Sequence, residues 1–181
     1  MKSPVAAIRR LLSFEMTAKQ YLLYQAVGSV LVNAALNAGF AWLKHGDPLV
    51  PLWTSSGIAF DTLTTTFLLS ALTVVFGTVT IRTDLKLGRV RLTAWTPRSH
   101  PALKLFSHSV WRRALAFGPL FTVLAVPPTL GVFVLARLDA LAFWPFFAFK
   151  VLYAVSLGMA VTPLNALWVL SRPADEPTAA A

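Results

Sequence analysis

Four long apolar stretches, separated by shorter polar or basic segments, make up most of this chain. They cover approximately residues 21–43, 57–81, 114–138 and 143–170. About 20 apolar residues in a helix cross the hydrocarbon core of a bilayer, so each stretch is long enough to span one. The pattern predicts an all-α membrane protein with four transmembrane helices, in a single domain over residues 1–172. The polar segment 173–181 is predicted to be a disordered tail.

Two amphipathic segments accompany the spans. Residues 1–20 place apolar side chains at helical spacing on one side, with Arg9 and Arg10 on the other. A second such segment, around Leu103 and Phe106, precedes the third span. Both are predicted to be short helices that lie at the membrane surface.

The second span carries a stripe of small and hydroxylated residues at helical spacing. Its members are Thr62, Thr66, Ser70, Thr73, Gly77 and Thr80. In lipid the hydrophobic effect does little to bring helices together, and small residues and hydroxyl groups promote packing instead. The stripe is therefore predicted to be a helix-packing seam, with the lining of a polar path as the alternative.

Asparagines and prolines inside the spans also need a physical explanation, because both are unfavourable in an apolar helix. Asn33 and Asn37 lie in the middle of the first span, and an unpaired amide in hydrocarbon is costly. They are expected to face the bundle interior, where they either bond to another helix or bind a polar group. Pro127 and Pro128, near the centre of the third span, are predicted to kink it, because proline removes a backbone donor.

The two halves of the chain resemble each other. Each has a span, a short loop ending near a tryptophan, and a second span with one charged residue near its start: Asp61 in Ala-Phe-Asp and Lys150 in Ala-Phe-Lys. The halves are predicted to be parallel helical-hairpin repeats related by an axis along the membrane normal.

This repeat would place two opposite charges at one depth. A lone charge in a span is costly and usually finds a partner. Asp61 and Lys150 are therefore predicted to form an ion pair, or to share a polar network with Asn37. In the alternative, Lys150 extends to the headgroups while Asp61 is protonated or hydrated.

The net charge of +9 lies mainly on one side of the spans. Of 16 lysines and arginines, 13 lie there: four before the first span, eight between the second and third, and one after the fourth. The positive-inside rule then places both termini and the middle loop in the cytoplasm. Such a face attracts anionic headgroups, which explains the charge without nucleic acid.

The residues needed for most catalytic chemistry are missing from the spans. The chain has no cysteine, its three histidines lie outside the spans, and Asp61 is the only acid within them. No nucleophile–base set, carboxylate pair, metal-ligand cluster or nucleotide-binding motif is found. We therefore expect a protein that is not an enzyme and holds neither metal nor cofactor.

Three segments carry a resemblance to a known group of proteins. NAALNAGFAWL, PLW and IAFDTLTTTFLL resemble small four-span bacterial inner-membrane proteins, mainly over residues 25–90. That group has no assigned activity, so the resemblance implies a multi-pass topology in a bacterial inner membrane and little more. Small multidrug transporters differ, because they carry a glutamate in the first span.

Two kinds of function fit these features. In the first, the chain is a small transporter or a lipid- or small-molecule-binding protein, acting as a homo-oligomer, with Asp61, Lys150, Asn33 and Asn37 at its polar site. In the second, it is a non-catalytic subunit or scaffold of a larger membrane complex, in which the same residues hold the bundle together. The first predicts that these residues meet at an open cavity, and the second that they satisfy one another.

Overall fold

Four long helices pack as a bundle, which confirms the predicted all-α fold class. A computed structural model describes residues 16–43, 48–90 and 109–170. The helices are α1 (Ala18–Trp42), α2 (Ile58–Lys86), α3 (Val110–Leu135) and α4 (Phe143–Leu170). All four are long and apolar enough to cross a membrane. Both predicted surface segments, apart from their last few residues, and the tail at 173–181 lie outside the described residues.

Local sequence explains where the helices begin and continue. At the start of α1, the backbone N–H of Gln20 donates to Thr17 Oγ1 at 3.3 Å, and the backbone N–H of Thr17 donates to Gln20 Oε1 at 3.0 Å. This reciprocal pair is a capping box. Further along, α3 continues through Pro127 and Pro128 without interruption, so the kink at these residues stays a prediction.

The helices pack in the order α1–α4–α2–α3. α4 packs against α1 and α2, and α2 also packs against α3, whereas α1 hardly touches α2. The first helix of each half therefore packs on the second helix of the other half. A two-fold relation between the halves, as the predicted repeat implies, would relate the α1–α4 contact to the α3–α2 contact, and the observed packing is consistent with it.

A two-stranded antiparallel sheet joins the two loops at one end of the bundle. Its strands are β1 (Leu49–Pro51) and β2 (Ala140–Ala142), with Val50 opposite Leu141. The sequence predicted loops in both places, and that prediction was wrong. Strands of three residues are too short to show an alternating pattern, and they form only because the bundle brings the loops together. We call this end of the bundle the sheet end, and the opposite end the terminal end.

Aromatic side chains gather at both ends of the bundle. At the sheet end, the ring centroid of Trp42 lies 6.1 Å from that of Phe143 and 6.3 Å from that of Trp144. At the terminal end, the rings of Tyr21 and Tyr24 lie 6.4 Å apart. Aromatic residues are enriched at both membrane–water interfaces, so the bundle has the distribution expected of a spanning protein.

Candidate functional site

A long groove lies between α1 and α2, where these two helices fail to pack together. Its volume is about 810 Å³, within the range of about 300–1,000 Å³ that is typical of small-molecule sites. Lys150 and Thr162 of α4 contribute to its lining. Most of its walls are apolar, and side chains such as Leu36, Phe40 and Phe76 contribute to them.

The groove extends over most of the membrane-spanning length of the bundle. On α1 its lining runs from Tyr24 to Leu43, and on α2 from Asp61 to Thr80. At 1.5 Å per helical residue, each wall is about 28 Å long, close to the thickness of a bilayer's hydrocarbon core. The groove therefore passes from one end of the bundle to the other.

Asp61 of α2 and Lys150 of α4 meet at the sheet end of this groove. Lys150 Nζ donates to Asp61 Oδ1 at 2.5 Å, and the exposed fractions of the two side chains are 5% and 13%. This geometry confirms the predicted ion pair. The alternative, in which Lys150 extends to the headgroups, is wrong because the ammonium group is buried against Asp61.

Both asparagines of the first span are buried and also line the groove. Asn33 Nδ2 donates to Ser29 Oγ at 3.1 Å, and Asn37 Nδ2 donates to the backbone carbonyl of Asn33 at 3.0 Å. The hydrogen bonds that these amides donate thus stay on α1. The link to α4 is made by Thr162, whose hydroxyl donates to Ser29 Oγ at 2.7 Å.

The predicted packing seam of α2 holds for only part of its length. Thr62, Thr66 and Ser70 are fully buried, as predicted. Thr73 and Gly77 are only partly buried and line the groove. Gly77 is still a close-packing position, since a Cβ there would lie 2.9 Å from Asn165 Nδ2 of α4.

The last member of the stripe, Thr80, is exposed in the groove, so its assignment to the seam was wrong. The buried face of α2 continues instead through Val74, Thr78 and Ile81. The cause is that α1 does not cover α2, which leaves one side of the stripe open. The stripe therefore packs against α4 over one part and lines the groove over another, and the polar path stays a prediction.

The corresponding space between α3 and α4 is filled. The Phe149 ring packs edge-on against Phe133, with centroids 5.0 Å apart, and stacks on Tyr153 at 5.6 Å. When Asp61 is matched to Lys150, Tyr153 corresponds to Thr64 of the first half, and Thr64 lines the groove. A threonine side chain fills less space than a tyrosine, which is one reason why the space between α1 and α2 stays open.

Two polar clusters at the terminal end were not predicted from the sequence. In the first, the Tyr21 hydroxyl donates to the buried Asp84 carboxylate at 2.8 Å, and Arg89 Nη1 lies 3.1 Å from the same carboxylate. Asp84 is the only acid from residue 82 to 113. Its isolation among basic residues is a sequence signal that could have singled it out. The predicted second span ends at residue 81, whereas α2 continues to Lys86 and so includes Asp84.

The second cluster surrounds a fully buried arginine. Arg113 Nη2 donates to Thr78 Oγ1, and its guanidinium carbon lies 4.1 Å from the ring centroid of Trp168. A guanidinium over an indole face is a favourable cation–π contact. The sequence alone carries no signal for this contact, since it depends on α3, α2 and α4 meeting at one point.

Models of protein families, curated proteins and solved structures yield no match to this chain. The resemblance to four-span bacterial proteins therefore identifies no family. Fold and site together define a class: a multi-pass membrane protein of four spans with polar residues buried among its helices.

Proposed function

We propose that this chain is a non-catalytic membrane protein that binds an amphiphile of the bilayer, a lipid or a small molecule, in the groove between α1 and α2. The observation that carries the proposal is a groove with apolar walls that also exposes polar groups of three helices inside the span. An amphiphile matches such a site, because its tail packs on the walls and its polar part meets the amides, hydroxyls and the ion pair.

The location of the groove also supports this kind of ligand. A ligand that dissolves in the bilayer can enter between α1 and α2 directly from the hydrocarbon. Basic residues lie near the terminal end, among them Arg82, Lys86 and Arg112. We propose that this end faces the cytoplasm of a bacterial inner membrane, where these residues attract anionic headgroups. We further propose that the protein acts as a homo-oligomer.

The test is native mass spectrometry of the protein released from lipid nanodiscs, with one variant that fills the groove. Gly28 lines the groove, and a Cβ at this position would meet nothing within 4 Å. Gly28→Phe should therefore occupy the site without disturbing the packing. Leu31→Phe is the matched control, since Leu31 lies on the same helix, is exposed and does not line the groove.

We expect a discrete ligand to accompany the wild-type protein and the Leu31→Phe variant, and to be lost from Gly28→Phe. Equal adducts on both variants would contradict binding in this groove. The masses of the released species also report the oligomeric state.

A second candidate function has its own support. Several of the polar groups in the groove bond to one another: Lys150 to Asp61, and Thr162 to Ser29. Such mutual satisfaction is what a scaffold or non-catalytic subunit needs from its buried polar residues. Release of another protein, together with bare chain unaffected by Gly28→Phe, would favour this candidate.

A further inference from the structure

Polar side chains line the groove through its full depth and are not confined to one end. On α1 they are Gln25, Ser29, Asn33 and Asn37, spaced one helical turn apart; on α2 they are Asp61, Thr64, Thr65, Thr73 and Thr80. A lipid bound with its headgroup at either interface would place only acyl chains at mid-depth. Acyl chains need no hydrogen-bond partner, so the polar groups at mid-depth must serve something else.

The threonines of α2 divide into two kinds. Thr62, Thr66 and Thr78, at the packed face, each donate to the backbone carbonyl four residues earlier, at 2.6–2.7 Å. The four threonines in the groove (Thr64, Thr65, Thr73 and Thr80) form no side-chain hydrogen bond with any residue that the structure describes. Their hydroxyl groups are therefore free to bond to a polar occupant.

The asparagine amides add acceptors to the same surface. Asn33 and Asn37 are each more than nine-tenths buried, and each donates one hydrogen bond. Within the described part of the chain, neither side-chain carbonyl oxygen accepts one. A polar group left without a partner in hydrocarbon costs free energy, and a polar ligand in the groove would remove that cost.

From these observations we infer that the groove is a path by which the headgroup of a phospholipid crosses between leaflets while its acyl chains stay in the bilayer. The inference rests on the proposed function, and it names the ligand class and the movement. The side opening between α1 and α2 is essential to it, because the chains must trail outside the protein. An ion or a soluble solute would instead need a closed pore.

The groove places little restriction on headgroup charge. Asp61 and Lys150 are its only charged lining residues among those described, and they neutralise each other. Hydroxyl and amide groups act as both donors and acceptors, so they suit phosphate oxygens and ammonium or hydroxyl groups equally. The path is therefore expected to accept both zwitterionic and anionic phospholipids.

The test uses the full-length protein in vesicles of phosphatidylethanolamine and phosphatidylglycerol, with a trace of acyl-labelled fluorescent phosphatidylethanolamine in both leaflets. Dithionite added outside bleaches only the label that reaches the outer leaflet. A soluble fluorophore of the same kind, trapped in parallel vesicles, reports any entry of dithionite.

The decisive variant is Thr65→Val with Thr73→Val and Thr80→Val, which removes three hydroxyls with little change in volume. Its matched control carries three equal changes outside the groove: Thr83→Val, Thr122→Val and Thr129→Val. Each of these control hydroxyls bonds to its own helix.

We expect the wild-type protein and the control to expose the inner-leaflet label, and the groove variant to do so about tenfold more slowly, the change that about 1.4 kcal/mol of barrier produces. Equal rates for both triple variants would overturn the inference. Bleaching of the trapped fluorophore at the same rate would also overturn it, because the protein would then pass a small anion.

Failure of this inference can be distinguished from failure of the proposed function. If label exchange equals that of protein-free vesicles while Gly28→Phe still removes a lipid adduct, the groove binds lipid without moving it. If both exchange and adduct are absent, both proposals are wrong.

Discussion

The ion pair between Asp61 and Lys150 is the most demanding residue-level feature of the spans. Each charge alone would be costly in a largely apolar setting, and the pair is tolerated because the two groups lie within hydrogen-bonding distance. The sequence predicted this contact, since the two residues occupy matching positions in the two halves. The position of a residue along its span and the sign of its charge can both be taken from a sequence.

Removing one member of the pair should destabilise the protein. For Asp61→Asn or Lys150→Met we expect the free energy of unfolding to fall by about 3–5 kcal/mol, because one buried charge loses its partner. The measurement is an unfolding titration in mixed detergent micelles. Ser156→Ala serves as the control, since this exposed hydroxyl bonds only to its own helix.

Exchanging the two residues supplies the sharper comparison. The double variant Asp61→Lys with Lys150→Asp should recover most of the stability that either single change removes. A double variant no more stable than the singles would refute the importance of the pair.

Other residue contacts could not be predicted from the sequence. The placement of Arg113 over Trp168 and the burial of Asp84 by Tyr21 depend on which helices become neighbours. Sequence periodicity shows that a helix has a polar face but does not say which partner covers it. Thr80 was wrongly assigned to the packing seam for the same reason.

At the scale of the elements, close packing of α1 on α4 depends on a glycine. A Cβ at Gly158 would collide with the Asn33 side chain and lie 3.1 Å from Ser29 Oγ. Small residues of this kind let helices approach closely in a membrane. The sequence shows that the residue at this position is small, but it does not say that α1 is the partner.

A larger side chain at this position should push α1 away from α4. We expect Gly158→Leu to lower the free energy of unfolding by about 1–3 kcal/mol, as overpacking does. Gly131→Leu is the matched control on α3, where a Cβ would meet nothing within 4 Å. Equal stability of the two variants would contradict the close contact of α1 and α4.

The register of the small sheet allows a prediction that could not be made from the sequence alone. Leu49 and Ala142 lie directly opposite each other in the ladder, and opposite residues have Cα atoms about 4.5–5.5 Å apart, within disulfide range. Because the chain has no cysteine, Leu49→Cys with Ala142→Cys should form one defined cross-link, detected by mass after proteolysis.

The control pair for the cross-link is Leu49→Cys with Ala140→Cys. Ala140 pairs with Pro51, so its distance from Leu49 is greater and its cross-linking should be weaker. Equal efficiency of the two pairs would mean that the strands do not keep this register.

At the scale of the whole molecule, the number of spans follows from the pattern of apolar stretches, while the orientation is a proposal based on charge. An impermeant maleimide should label Ser55→Cys, near the sheet end, in intact cells, and Lys86→Cys, at the terminal end, only after the cells are opened. The physical reason is the positive-inside rule. The reverse labelling pattern would show that the orientation is inverted.

The interchange of helices between the two halves has a consequence for synthesis in the membrane. When the ribosome has delivered only α1 and α2, the bilayer holds a hairpin whose two helices hardly touch. The partners that α1 and α2 need, α4 and α3, arrive later. We therefore expect that a chain shortened to its first half inserts but stays unassembled, and that bundle formation waits for the last span to leave the translocon.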